Sequence, residues 1–119
     1  MNTAVIIGRV GRDAEIKEYE SGRSRTTFSL AVNRWDAKIA EEVTDWFNIE
    51  VWGITNDLSG AGKKSPARIA FENIKKGRML AVEGRIRSNS WVDKTGETRL
   101  SYAITASSYK FLDSKKESV

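Results

Sequence analysis

Trp46-Phe47-Asn48-Ile49-Glu50-Val51-Trp52 alternates without a break between apolar residues and residues with a polar or indole group. Successive side chains of a β-strand point to opposite faces, so Phe47, Ile49 and Val51 form an inward set. Trp46, Asn48, Glu50 and Trp52 form the outward set. Two other stretches divide in the same way. Arg85-Ile86-Arg87-Ser88-Asn89-Ser90-Trp91 places Arg85, Arg87, Asn89 and Trp91 together, and Thr27, Ser29, Ala31, Asn33 and Trp35 oppose Phe28, Leu30 and Val32. All four tryptophans of the chain thus fall on the polar side of a strand. Folded proteins normally bury much of their indole surface. Indoles interleaved with arginine on an exposed sheet face are the pattern of a stacking platform for unpaired bases.

Outward from this stretch, short alternating runs dominate and argue for an all-β domain. Ala4 to Val10 is hydrophobic at nearly every position, is closed by Gly8 and Gly11, and reads as a strand buried on both faces. Ala14 to Tyr19 is a second, shorter strand ending at the turn Glu20-Ser21-Gly22. Thr26 to Asn33 follows, then an acidic loop from Asp36 to Thr44, the strand Trp46 to Trp52, a long strand from Met79 to Trp91, and a last one from Leu100 to Ala106. Asp93-Lys94-Thr95-Gly96 reads as a hairpin turn. One helix interrupts the series. Ser65 is its N-cap, Pro66 its first residue and Gly77 its end, with Ala67, Ala70, Phe71 and Ile74 as the apolar stripe and Lys75 and Lys76 in the last turn. About five strands with a helix inserted before the fourth describe an OB-fold, a five-stranded Greek-key barrel. Residues 1–112 are expected to form this domain and 113–119 a short flexible tail; Thr55 to Lys64, rich in Gly, Ser and Asn, reads as a mobile loop.

Composition narrows the functions open to such a barrel. A chain of 119 residues with 39% hydrophobic and 30% charged residues is one ordinary globular domain. It has neither cysteine nor histidine, which removes disulfides and thiolate metal sites together with the commonest general base and metal ligand. Asp45, Glu50 and Asp57 lie scattered over loop and strand and read as solubility groups, not a catalytic or metal cluster, so no enzyme activity, metal or cofactor is expected. No apolar stretch approaches the roughly 18 residues of a membrane span, and the start Met1-Asn2-Thr3-Ala4 lacks the features of a secretion signal. A cytoplasmic, nucleoid-associated protein with no membrane contact is the expectation. The net charge of +4 is mild but uneven: Lys63 to Arg99 holds ten basic and four acidic residues, against one basic and six acidic from Asp36 to Asp57. A basic face of that kind suits a polyanion.

The chain resembles the bacterial single-stranded DNA-binding protein family over roughly residues 3 to 112. The resemblance is carried by Val5-Ile6-Ile7-Gly8-Arg9-Val10-Gly11-Arg12-Asp13, Glu20-Ser21-Gly22, Phe28-Ser29-Leu30-Ala31-Val32-Asn33 and Asp45-Trp46-Phe47-Asn48-Ile49-Glu50-Val51-Trp52-Gly53. It continues through Ile74-Lys75-Lys76-Gly77, Val82-Glu83-Gly84-Arg85-Ile86 and Trp91-Val92-Asp93-Lys94-Thr95-Gly96. Each segment alone is weak; the ordered set is specific, and its details look most like the cyanobacterial branch. The resemblance implies that aromatic residues at Trp35, Trp46, Trp52 and Trp91 stack on DNA bases and that the protein is a homo-oligomer, a tetramer. It also brings a departure: the family typically ends in an acidic tip that recruits replication enzymes, whereas this sequence ends Lys115-Lys116-Glu117-Ser118-Val119, so recruitment by that route is not expected.

Base contacts are therefore expected from Trp35, Trp46, Trp52 and Trp91, and phosphate contacts from Arg34, Arg85, Arg87 and Lys94. Single-stranded DNA is the expected partner. An RNA-binding or primosome-type OB module would use the same aromatics, since every base has a π-face, and a structural subunit could use them for protein contact. Val5, Ile7 and Arg9 share one side of the first strand, and Ala4, Ile6, Gly8 and Val10 the other. Only one row can face a small barrel's interior, so the second apolar row calls for a second copy of the chain.

Overall fold

The computed structural model describes residues 1–54 and 64–113. Within them run β1 (Ala4–Val10), β2 (Glu15–Glu18), β3 (Arg23–Asp36), β4 (Glu41–Ile54), α1 (Pro66–Asn73), β5 (Met79–Val92) and β6 (Thr98–Phe111). The stretch read as a loop lies outside the described residues but for Lys64. So does the tail but for Asp113, whose carboxylate accepts two hydrogen bonds from Arg78 Nε.

The strands follow the order β1-β5-β6-β4-β3-β2, and β1 pairs with β3 as well. The sheet therefore closes on itself. β1 and β2 both lie antiparallel to β3, β1 at Ala31 and Leu30 and β2 from Thr27 to Ser24. They are two halves of a single interrupted barrel strand, which reconciles six strand segments with a five-stranded OB-fold. The barrel closes where β4 runs parallel to β6, through Ile49 opposite Ile104 and Glu50 opposite Thr105. Its core is built from alternate residues of the strands, and Phe28, Leu30, Ile49 and Val51 point inward as expected. Phe28, Leu30, Ile49, Val51, Leu80, Val82 and Ile104 are buried, and Phe47 packs against them.

Three differences from the expectation have physical causes. The β3–β4 hairpin extends to Asp36 opposite Glu41 and takes in most of the acidic segment read as a loop; exposed charged side chains do not prevent pairing where both strands are already in register. The helix ends at Asn73, so Lys75 and Lys76 are not in its last turn. Ile74 is drawn into the core in an extended conformation, its carbonyl accepts from Ala14 N–H, and Gly77 donates its N–H to Val10. Of the first strand, only Ala4, Ile6, Gly8 and Val10 turn toward the interior. Val5 and Ile7 remain 63% and 54% exposed in the single chain.

The helix closes one end of the barrel. Ser65 Oγ accepts from Arg68 N–H as the N-cap, Pro66 occupies the first turn, and Ala67 and Ala70 are buried. The buried Thr26 hydroxyl donates to Ala67 C=O and ties the helix to β3. β5 and β6 shift register between Glu83 and Gly84, a bulge that bends the ladder. Gly84 is needed there, because a β-carbon would lie 2.1 Å from the Thr105 carbonyl oxygen. No side chain can relieve a clash with backbone. Gly84→Ala is expected to cost about 1–3 kcal/mol by overpacking, read as a lower urea midpoint with an unchanged slope.

Candidate nucleic-acid interface

The outer faces of β3, β4, β5 and β6 form one surface, ordered into cross-strand rows by the register. Arg25 lies opposite Trp52; Thr27, Glu50, Thr105 and Arg85 follow one another across four strands; Ala31 lies opposite Trp46 and Asn89 opposite Ser101. Trp35, opposite Glu42, sits near the tip of the β3–β4 hairpin, and Trp91, opposite Arg99, near the tip of the β5–β6 hairpin. Period-2 reading could place these residues on one face because twist does not change which side a strand residue occupies.

Three of the four indoles are open to solvent: Trp35 is 65%, Trp46 59% and Trp91 47% exposed. The Trp46 ring lies over Gly11, where a β-carbon would fall 2.4 Å from its Cζ3. Gly11 thereby provides the floor on which this indole rests. Trp52 differs. It stacks with Tyr19 at a centroid distance of 5.9 Å and an interplanar angle of 23°, and the Arg23 guanidinium lies 4.3 Å from its centroid. A shallow cleft of about 210 Å³ runs across the middle of the surface, lined among others by Arg12, Arg25, Asn48, Glu50, Arg87 and Asn89.

Glu50 is the residue whose role the sequence did not convey. It lies on the outward side of β4, as expected, yet it is 2% exposed. Arg87 donates to both carboxylate oxygens, from Nε at 2.7 Å and from a terminal nitrogen at 2.9 Å, and Thr105 Oγ1 donates at 2.6 Å. Arg25 approaches at 3.9 Å. Burial pushes the Glu50 pKa up, but the hydrogen bonds from Arg87, Thr105 and Trp52 and the charge of Arg87 more than reverse it, to about 2. The same contact raises the Arg87 pKa. Glu50 therefore holds the closing seam of the barrel together and does not act as a solubility group.

The cations expected to meet phosphates fall into two kinds. Arg87 is engaged with Glu50, and Arg34 donates to Asp45 at 2.7 Å and lies 3.8 Å from Asp36. Arg85 is exposed on β5, and Lys94 is exposed in the turn between β5 and β6. That turn is built on Asp93, whose carboxylate accepts from the Thr95 hydroxyl, the Thr95 and Glu97 N–H groups and Arg99 Nε. The Thr95 hydroxyl, then Arg99, hold the Asp93 pKa down to about 2. Sequence reasoning placed Asn48 and Asn89 on the outward face without naming them as contacts, and it passed over Arg12 and Arg25 in the cleft and Tyr19 and Arg23 beside Trp52. Their signal was the same alternation: Lys17-x-Tyr19 and Arg23-x-Arg25 put cations and an aromatic on one face. Among the described residues, no three acidic side chains gather into a metal site.

A closed OB barrel with exposed indoles and arginines on one sheet face defines a class of proteins that hold single-stranded nucleic acid. The family model described as "Single-strand binding protein family" matches residues 1–112. Single-stranded DNA-binding protein 1 of Synechocystis is 33% identical over 118 residues, covering 98% of this chain and 88% of the relative. The single-stranded DNA-binding protein of Thermotoga maritima is 35% identical over 117 residues, covering 96% and 75%. Among solved structures, a Plasmodium falciparum SSB complex with ssDNA superimposes with a TM-score of 0.75 at 27% identity, covering 95% of this chain and 96% of that one. The chain belongs to the single-strand binding protein family.

The Glu50–Arg87 contact has a pH signature. A carboxyl whose folded pKa lies near 2, below its ordinary 4.5, adds stability that is fully present above about pH 4.5 and is lost as pH falls toward 2. Arg87→Ala leaves the buried carboxylate without its main partner and is expected to cost about 3 kcal/mol at pH 7. Urea unfolding of both proteins at pH 7 and pH 3 checks this: the difference between them narrows at pH 3.

Proposed function

We propose that this chain binds single-stranded DNA with little regard to sequence, stacking bases on exposed indoles and holding phosphates with arginine and lysine, and that it protects single strands during replication, repair and recombination. The observation that carries this reading is the exposure of Trp35, Trp46 and Trp91 on the same outer surface as Arg85 and the arginine-lined cleft. Each base has a π-face, so stacking tolerates any sequence, and cations track the backbone. The OB-fold domain, residues 1–112, is the binding unit. The relatives named above are single-stranded DNA-binding proteins, which favours DNA over the RNA-binding or primosome-type alternative. Nothing in this role requires catalysis. No helix among the described residues is long and apolar enough to cross a membrane.

Trp46→Ala and Trp91→Ala are each expected to weaken poly(dT) binding by about 1–3 kcal/mol while leaving the unfolding midpoint nearly unchanged, since both rings are exposed. Titration of intrinsic fluorescence with poly(dT) and poly(U) tests the reading. Strong quenching by poly(dT) at low salt supports it, a preference for poly(U) would favour the RNA-binding alternative, and no response to either would favour a protein-contact role.

We further propose a homo-oligomer, a tetramer assembled as a dimer of dimers. β1 pairs with β5 from Ala4 to Arg9 but with β3 only at Arg9 and Val10, so among the described residues one edge of its first half has no partner strand, and the exposed Val5 and Ile7 lie beside that edge. Two copies related by a two-fold axis would cover both the edge and the apolar row. Light scattering at micromolar concentration is expected to give about four times the 13.3 kDa chain mass; a mass close to a single chain would refute the assembly and leave the binding reading intact.

A further inference from the structure

The strand order ends at β2, and beside this edge stands a cluster that reaches past the tryptophans. Lys17 lies opposite Arg25, and Arg25 opposite Trp52, in one continuous cross-strand row. Tyr19 and Arg23 face each other across the β2–β3 turn, joined by Tyr19 N–H to Arg23 C=O at 2.8 Å. The turn is tightened by Gly22, at φ 85°, which donates to Tyr19 C=O. The side chains of these five residues interlock. Trp52 stacks with Tyr19, Arg23 lies over Trp52, Lys17 lies 5.3 Å from the Tyr19 centroid, and Arg25 lies 5.6 Å from Trp52 and 5.8 Å from Tyr19.

Three cations crowd two rings here, and the carboxylates within reach do not balance them. Arg25 has only the 3.9 Å approach to Glu50, which Arg87 already engages at two oxygens, and Arg25 Nε is buried with no hydrogen-bond partner among the described residues. Lys17 and Arg23 have no carboxylate within ion-pair distance among the described residues, the nearby Glu18 being paired with Arg68. Cations held on aromatic faces stay in place, but like charges this close repel unless an anion lies among them. A polyanion with flat groups along its length satisfies both needs at once.

We propose that Lys17, Tyr19 and Arg23 extend the single-stranded DNA path beyond Trp52, with Tyr19 taking a base and Arg23 and Lys17 taking the flanking phosphates. The inference rests on the reading of the sheet as a single-stranded DNA surface and adds a subsite at its β2 edge. Trp52 is then the joint between the two parts of the path: its own ring is engaged by Arg23 and Tyr19, and it positions both.

The test measures poly(dT) binding by the wild type, Tyr19→Leu, Tyr19→Phe and the double variant Lys17→Gln/Arg23→Gln over a range of salt. Tyr19→Leu is expected to weaken binding about 5-fold to 150-fold, the span of one base–aromatic stack, and Tyr19→Phe to restore it, because stacking needs the ring and not the hydroxyl. The double variant is expected to lower the slope of log affinity against log salt by about 1.4, at about 0.7 for each phosphate no longer neutralised. A purely structural cluster would lower the unfolding midpoint and leave that slope alone. Wild-type binding with unchanged affinity in Tyr19→Leu and an unchanged slope in the double variant overturns this inference only. A wild type that does not bind poly(dT) overturns the parent reading and the subsite with it. Should Tyr19→Leu not fold, the slope of the surface double variant decides alone.

Discussion

A carboxylate buried on the outside of a barrel is an unusual constraint, and much of this molecule is arranged around it. Glu50 sits where β4 meets β6, opposite Thr105. The seam there has only two residue pairs, so its backbone ladder is short. The Glu50 side chain adds three charge-assisted or hydroxyl hydrogen bonds across it, two from β5 through Arg87 and one from β6 through Thr105. Such bonds are roughly twice as strong as neutral ones. They join β4, β5 and β6 from the outer side, while Ile49 and Ile104 join them from the core.

The same contact sets the electrostatics of the surface above it. A bare carboxylate in the centre of a polyanion site would repel its ligand, and Arg87 neutralises it in place. The cost is that Arg87 is no longer an independent cation, and Arg34 is likewise matched by Asp45 and Asp36. Positive potential at the surface then comes chiefly from Arg85, Lys94 and the residues flanking the cleft and Trp52. The indoles show a parallel division of labour. Trp35, Trp46 and Trp91 present exposed rings, whereas the Trp52 ring is stacked with Tyr19 and lies under the Arg23 guanidinium.

The fold was legible because alternation reports faces, and faces were most of what had to be known. Phe47, Ile49 and Val51 turned inward, and Trp46 and Trp91 turned outward, as period 2 requires. Alternation does not report what covers a residue. Glu50 and Asn48 look alike in the pattern, but only Glu50 is buried, because its partners come from Arg87 and Thr105, far away in sequence. The helix end misled for a related reason. Gly77 and the two lysines before it have the composition of a C-terminus, yet the core claims Ile74, and Val10 claims the Gly77 N–H. Tyr19 and Arg23 were overlooked because Tyr19 lies just past the end of β2 and Arg23 opens β3, so alternation hints at a shared face without showing a contact, and their stack with Trp52 exists only once β2, β3 and β4 lie side by side.

The parallel seam also governs how the chain comes to be folded. β1 and β5 are farther apart in sequence, but their meeting is compensated by six residue pairs. Glu50 and Thr105 are 55 positions apart and are joined by two. Closing a long loop costs entropy before any contact offsets it. The β1–β3 contact also has two pairs but joins residues much closer in sequence, so the β4–β6 seam is expected to be the last that a growing barrel completes. Interactions formed that late scarcely affect the rate of folding and act on the rate of unfolding. The ion pair at Glu50 is thus a latch on the escape side of the barrier: it sets the lifetime of the native barrel, not the speed at which the barrel is reached.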